Sequence, residues 1–150
     1  MINLANRMLL NASILIALCV GTSLACAKED STHEIESFVE GSYTLLGKAI
    51  ASEKTYLGEV TIRKKAGSLE VIRRIEGKEV KGTASVAHVM TDKIPVLRIR
   101  FVEEEKQIEG TCLIKGDLDN YARLTCYLYF PGVKTEDPGM EAMFINNSRS

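Results

Sequence analysis

The sequence predicts an all-β chain, an antiparallel up-and-down meander of about eight strands that closes as a small barrel behind a short N-terminal helical turn. Three observations carry this. From Gly41 onward apolar and polar residues alternate with period two, as in Val60 and Ile62 against Glu59, Thr61 and Arg63, or Leu97, Ile99 and Phe101 against Arg98 and Arg100. Such alternation marks strands with one face in a core and one in water. The runs are separated by Lys65 to Ser68, Glu76 to Lys78, Asp92 to Pro95 and Glu103 to Lys106, clusters too short for crossover helices, so successive strands run antiparallel. An open meander of this length would leave two exposed edges, and closure removes them.

The elements follow in order. Residues 1–27 hold one base, Arg7, then an apolar run from Met8 through Val20 interrupted by Asn11 and Ser13, then small residues, the pattern of a secretory signal peptide. The run is too short and too soon broken by Gly21, Thr22 and Ser23 for a membrane span of about 20 apolar residues. Ala25-Cys26-Ala27 fits a small-x-small cleavage site, releasing a soluble chain from Lys28. Ser23-Leu24-Ala25-Cys26 alternatively resembles a degenerate bacterial lipobox, with Cys26 as the lipidated residue and the sole route to a membrane anchor. Residues 28–40 read as a linker or short helix, in which Ile35, Phe38 and Val39 plug one end of the barrel. Residues 41–150 form the barrel domain, with strands near 42–50, 57–65, 68–76, 79–89, 95–103, 106–115, 121–130 and 140–146.

A faint repeat supports the meander. Leu57 to Ile62, Lys81 to Val86 and Glu109 to Ile114 share the form x-Gly-[Glu/Thr]-x-x-[Ile/Val], and Pro138-Gly139-Met140-Glu141 is a decayed fourth copy. Glycine early in a strand permits the tight curvature a small barrel needs.

The stretch Gly110 to Cys126 holds the chain's clearest constellation. If residues 106–115 and 121–130 pair with residue 112 opposite 126, then Ile108, Gly110, Cys112, Ile114, Ala122, Leu124, Cys126, Leu128 and Phe130 share one face. Gln107, Glu109, Thr111, Lys115, Arg123, Thr125, Tyr127 and Tyr129 take the other, with Leu113 the one aliphatic exception. Directly opposed residues have Cα atoms about 4.5 to 5.5 Å apart, within disulfide reach. In an exported chain with two cysteines left after cleavage, a Cys112–Cys126 disulfide is expected.

Other chemistry is weakly signalled. Asp117, Asp119 and Asn120 have turn chemistry, and the Gly and distal Glu of a calcium loop are missing. His33 and His88 are the only histidines and lie far from the cysteines in sequence, so no metal site is expected. No nucleophile motif or oriented acid accompanies His88, so no catalytic residue and no cofactor is expected. Tyr121, Tyr127 and Tyr129, with Arg123, form an outward set of residue types favoured at protein interfaces, and are the candidate partner-binding residues. The chain beyond residue 27 has 18 Lys and Arg against 20 Asp and Glu, which argues against a nucleic-acid partner.

Export signal, antiparallel meander, early-strand glycines and one hairpin disulfide together resemble the small exported eight-stranded barrels, both calycin-like binding proteins and bacterial periplasmic or lipoprotein lysozyme inhibitors. The resemblance is one of architecture. The chain has no Trp, hence no Gly-x-Trp of lipocalins, and it lacks the Ser-Gly-x-x-Tyr loop of some lysozyme inhibitors, so neither family's functional residues transfer. The expected function is that of a non-enzymatic exported binding protein of the bacterial cell envelope, periplasmic or secreted, taking a small apolar ligand or a protein partner. The alternatives are an inhibitor of an envelope-directed hydrolase such as lysozyme, and a lipid-anchored structural lipoprotein of the outer membrane.

Overall fold

A computed structural model describes residues 23–114 and 122–146, with side chains from residue 31. A helix, α1 (Ser23–Val39), precedes eight strands: β1 (Gly41–Lys48), β2 (Thr55–Lys65), β3 (Ser68–Ile75), β4 (Lys78–Val89), β5 (Ile94–Glu103), β6 (Lys106–Ile114), β7 (Leu124–Tyr129) and β8 (Gly139–Ile145). Each strand pairs antiparallel with its neighbours in sequence, and β8 returns to pair with β1, closing the barrel. The alternation thus places all eight strands correctly, with ends moved by up to three residues. The helix begins five residues earlier than the 28–40 segment and runs through both cleavage candidates. Most of the leader, together with Asp117, Asp119, Asn120 and Tyr121, lies outside the described residues; Cys26 lies on α1, ahead of the described side chains.

The short connections explain the register. Ala66-Gly67 and Glu76-Gly77 both have positive φ at each residue, the backbone of the tight two-residue hairpin turn whose twist matches the strands it joins. Glu104-Glu105 adopts the same conformation without a glycine. In the cysteine hairpin Gly110 faces Leu128, Cys112 faces Cys126 and Ile114 faces Leu124, the register read from the apolar pattern. Cys112 and Cys126 are joined at an S–S distance of 2.07 Å, with Cα atoms 3.9 Å apart, closer than the usual opposed pair.

Inward side chains fill the barrel. Tyr43, Leu45, Val60, Ile62, Leu69, Val71, Leu97, Ile99, Leu124 and Met143, with both cysteines, are buried in one contiguous cluster. The repeated glycines Gly58, Gly82, Gly110 and Gly139 sit one on each even-numbered strand, among the inward positions. A Cβ on Gly58 would meet the Arg74 carbonyl oxygen at 2.6 Å, and one on Gly139 the Lys48 carbonyl at 2.9 Å. The repeat therefore marks where neighbouring backbones crowd together in a narrow wall.

The two ends are sealed differently. At the lower end, which carries α1 and the β2–β3 and β4–β5 turns, Val39 is buried and Ile35 packs against the core. Tyr43 Oη donates to the Val39 carbonyl at 2.7 Å, the Lys64 amide donates to Glu40 at 3.0 Å, and Lys64 Nζ meets Glu36 at 3.1 Å. The chain passes from α1 into β1 at Gly41, φ +154°, where a Cβ would run into Ile145. Phe38 stays on the rim. Toward the upper end, the interior holds a buried ion pair between Arg73 and Glu141. Tyr56 Oη donates to Glu141 Oε1 at 2.7 Å. Gly47 lies between Tyr56 and Glu141 in the sheet, opposite both, and any side chain on it would occupy the Tyr56 ring's place. The Arg73 guanidinium also stacks on Phe101, 3.9 Å from the ring centroid.

Two outcomes follow from this packing. Replacing Cys112 and Cys126 by Ala opens a closed loop with a sequence separation of 14, and the unfolding free energy should fall by about 3 kcal/mol, measured by urea titration under non-reducing conditions. Changing Arg73→Met alone strands a buried carboxylate and should cost about 3 to 5 kcal/mol, whereas Arg73→Met with Glu141→Leu should recover most of the loss. Equal destabilisation of single and double variants would contradict this account of the pair.

Candidate functional site

The predicted partner-binding residues separate into three environments. Arg123 donates to the Phe38 carbonyl at 2.9 Å and stacks over the Phe38 ring at 4.6 Å, so it fastens α1 to the lower rim and stands apart from the tyrosines. Tyr129 is half-buried in a polar cluster. Tyr127 is 49% exposed, and Tyr121 lies outside the described residues. His33 and His88 are exposed, on α1 and at the lower end of β4.

The polar cluster is built by a single lateral row across the outer wall, Thr83, Arg100, Glu109 and Tyr129, each opposite the next on β4 to β7. Glu109 is 8% exposed although it points outward, because its neighbours fold over it. Arg100 Nε donates to Glu109 at 2.6 Å, Arg98 Nη1 reaches it at 3.5 Å, and Tyr129 Oη donates at 2.6 Å. Since the single Tyr129 proton goes to the carboxylate, the Thr111 hydroxyl at 2.8 Å donates to Tyr129. Burial by itself pushes the Glu109 carboxyl up, but the Tyr129 and Arg100 hydrogen bonds and the charges of Arg100 and Arg98 together hold it below the ordinary carboxylate range. Burial and the Glu109 hydrogen bond push the Tyr129 phenol above its usual value. Inside the barrel, burial and then the Glu141 charge push the Tyr56 phenol up in the same way. Both tyrosines are therefore neutral donors at physiological pH.

Tyr127 borders a second feature, which the sequence showed only in fragments. Leu113, Thr125, Ala142, Leu46 and Leu57 form one lateral row of outward side chains across β6, β7, β8, β1 and β2. Tyr127 and Met140 lie opposite each other one row above, and half-buried Phe144 lies one row below, opposite Thr44. Leu113, Tyr127, Met140, Leu46 and Leu57 are 45 to 68% exposed. A run of large apolar side chains spanning five adjacent strands is what interaction surfaces carry and what a solvated wall lacks. The available signal was the outward parity of Leu113, noted as an exception, and the adjacent pair Leu45-Leu46, of which only one can point inward.

No known protein family, curated protein or solved structure matches this chain. No group of three or more His, Cys, Asp or Glu able to hold a metal occurs among the described residues. Among the described residues the candidate site is the outer wall, an apolar band adjoining a fixed polar cluster.

The acid response of the Glu109 cluster is testable. Its carboxyl is depressed in the folded chain, so the stabilisation is fully present above the unfolded value near 4.3 and is lost as pH falls through the lower folded value. Wild type should exceed Glu109→Gln in stability at neutral pH, with the gap closing on acidification below about pH 4.5, measured by urea midpoints from about pH 2.5 to 7. A gap independent of pH would show that the carboxylate charge does not contribute.

Proposed function

We propose that this chain is a non-enzymatic exported partner-binding module of the bacterial cell envelope, which takes a protein partner on the outer wall of β6, β7, β8, β1 and β2. One observation carries the reading: Leu113, Tyr127, Met140, Leu46 and Leu57, which are scattered through the sequence, form one exposed apolar surface. Apolar anchors carried on a sheet whose backbone is already ordered spare the backbone part of the ordering cost when they are covered, which favours binding. The filled interior supports a surface site over a ligand held in the lumen.

The curvature of the wall indicates the shape of the partner. Two convex barrel walls touch along a narrow strip, whereas a concave surface can follow the curve and cover the whole band. The reading therefore favours a different protein with a concave site over a second copy of this chain, and an envelope-directed hydrolase presents such a cleft.

Cross-linking capture from envelope extract with the chain from Lys28 onward should recover a defined partner. Leu46→Glu with Leu57→Glu should weaken its capture at least tenfold, and Ser85→Glu on the far wall should leave it unchanged. If sedimentation shows a wild-type dimer that the Leu46/Leu57 variant dissociates, the surface pairs with itself and the reading fails. Undiminished capture by that variant would also overturn it.

A further inference from the structure

A cleft of about 350 Å³ opens on the outer wall of β4, β5 and β6, toward the upper end and beside the Glu109 cluster. It spans three adjacent strands, with Lys81, Gly82 and Thr83 from β4, Arg100, Phe101 and Val102 from β5, and Gln107, Ile108 and Glu109 from β6. Pro131, from the β7–β8 connection, completes it. Gly82, Phe101 and Ile108 are a lateral row whose side chains turn into the barrel, so their backbone forms the floor. The outward residues of the flanking rows, Lys81, Val102 and Gln107 on one side and Thr83, Arg100 and Glu109 on the other, form the walls.

The lining is chemically lopsided. Its only carboxylate, Glu109, is already occupied by Arg98, Arg100 and Tyr129. Those contacts use only the Nε of Arg100, and its two Nη groups make no hydrogen bond to the described residues. Glu109 therefore orients the guanidinium and leaves a pair of donors free, in the arrangement that grips a carboxylate through two parallel hydrogen bonds. Lys81 adds a second cation, its ammonium only loosely paired with Glu79 at 3.7 Å. The lining therefore sets two cations, Arg100 and Lys81, against a single carboxylate that is already engaged. Beside this charge the cleft presents Val102 and Pro131, which suit an apolar body. The volume lies at the small end of ligand sites, which run from about 300 to 1,000 Å³.

We propose that this cleft binds a small carboxylate with an apolar body, its two oxygens held by the Nη groups of Arg100 and by Lys81. The site is independent of the partner-binding wall and stands whether or not that reading survives. Glu109 and Tyr129 act as positioning residues, setting the Arg100 plane without touching the ligand.

Titration of the isotopically labelled chain from Lys28 onward with 2-naphthoate, followed by NMR, tests this, with 2-naphthamide as the uncharged control. Naphthoate should shift the amide resonances of residues 81–83, 100–102 and 107–109 saturably, and the amide should bind at least tenfold more weakly. Arg100→Gln should reduce naphthoate affinity tenfold or more. Lys81→Gln, which leaves the Glu109 cluster untouched and guards against a folding defect in the first variant, should reduce it severalfold. Equal binding of acid and amide, shifts centred elsewhere, undiminished affinity in a folded Lys81→Gln chain, or no saturable shift would each overturn the proposal.

Discussion

Closure between β1 and β8 is the contact on which the rest of the barrel depends. Every other ladder joins strands that follow one another in sequence, while this one pairs Tyr43 with Ile145 and Lys48 with Met140. It therefore carries the largest loop-closure entropy of any pairing in the sheet. The seam is held on both surfaces. Inside, Tyr56 reaches across Gly47 to Glu141, which pairs with Arg73, so one polar chain ties β2, β8 and β3 together over β1. Outside, Thr44 and Asn146 are hydrogen-bonded at 2.7 Å, and Lys48 pairs with Glu53 and Asp137.

Because the seam sets the lateral rows, it also creates the apolar band. Leu46 and Leu57 lie on one side of it and Ala142, Met140 and Tyr127 on the other. In an open meander these residues would lie at opposite edges of the sheet. The core and the exposed band therefore arise in the same event, and a chain that failed to close would lose both.

The strands were legible because their information is local. Alternation fixes which residues face inward, short turns fix the pairing of neighbours, and setting Cys112 opposite Cys126 brings Ile114 against Leu124 and Gly110 against Leu128, so one register accounts for the cysteines and the apolar pattern together. The extent of α1 was less legible, since Ile35 and Val39 point into the barrel mouth while Phe38 stays outside, leaving only a thin apolar stripe to read. The candidate sites were legible least. Glu109 is an ordinary outward acid within its own strand, and only the register places Arg100 and Tyr129 on either side of it. Arg73 and Glu141 occupy inward positions, where a strand pattern expects apolar residues, and each becomes intelligible only with its partner from across the barrel. The tyrosine set was read as one face along a single hairpin, yet the sheet joins Tyr127 to Met140 and Tyr129 to Glu109.

The cysteine pair has a consequence that concerns assembly. Three hairpins here are set by two-residue turns, Ala66-Gly67, Glu76-Gly77 and Glu104-Glu105, whereas residues 115–123, which join β6 to β7, are too many for such a turn to fix the alignment. A slip of one residue would turn Leu124 and Leu128 outward. Cys112 is directly opposite Cys126 in the register that sets Gly110 against Leu128, so the sulfur–sulfur bond works as an alignment pin that holds the finished hairpin against such a slip. The same pin fixes the outer face, because the register that joins the sulfurs is also the one that sets Thr111 opposite Tyr127.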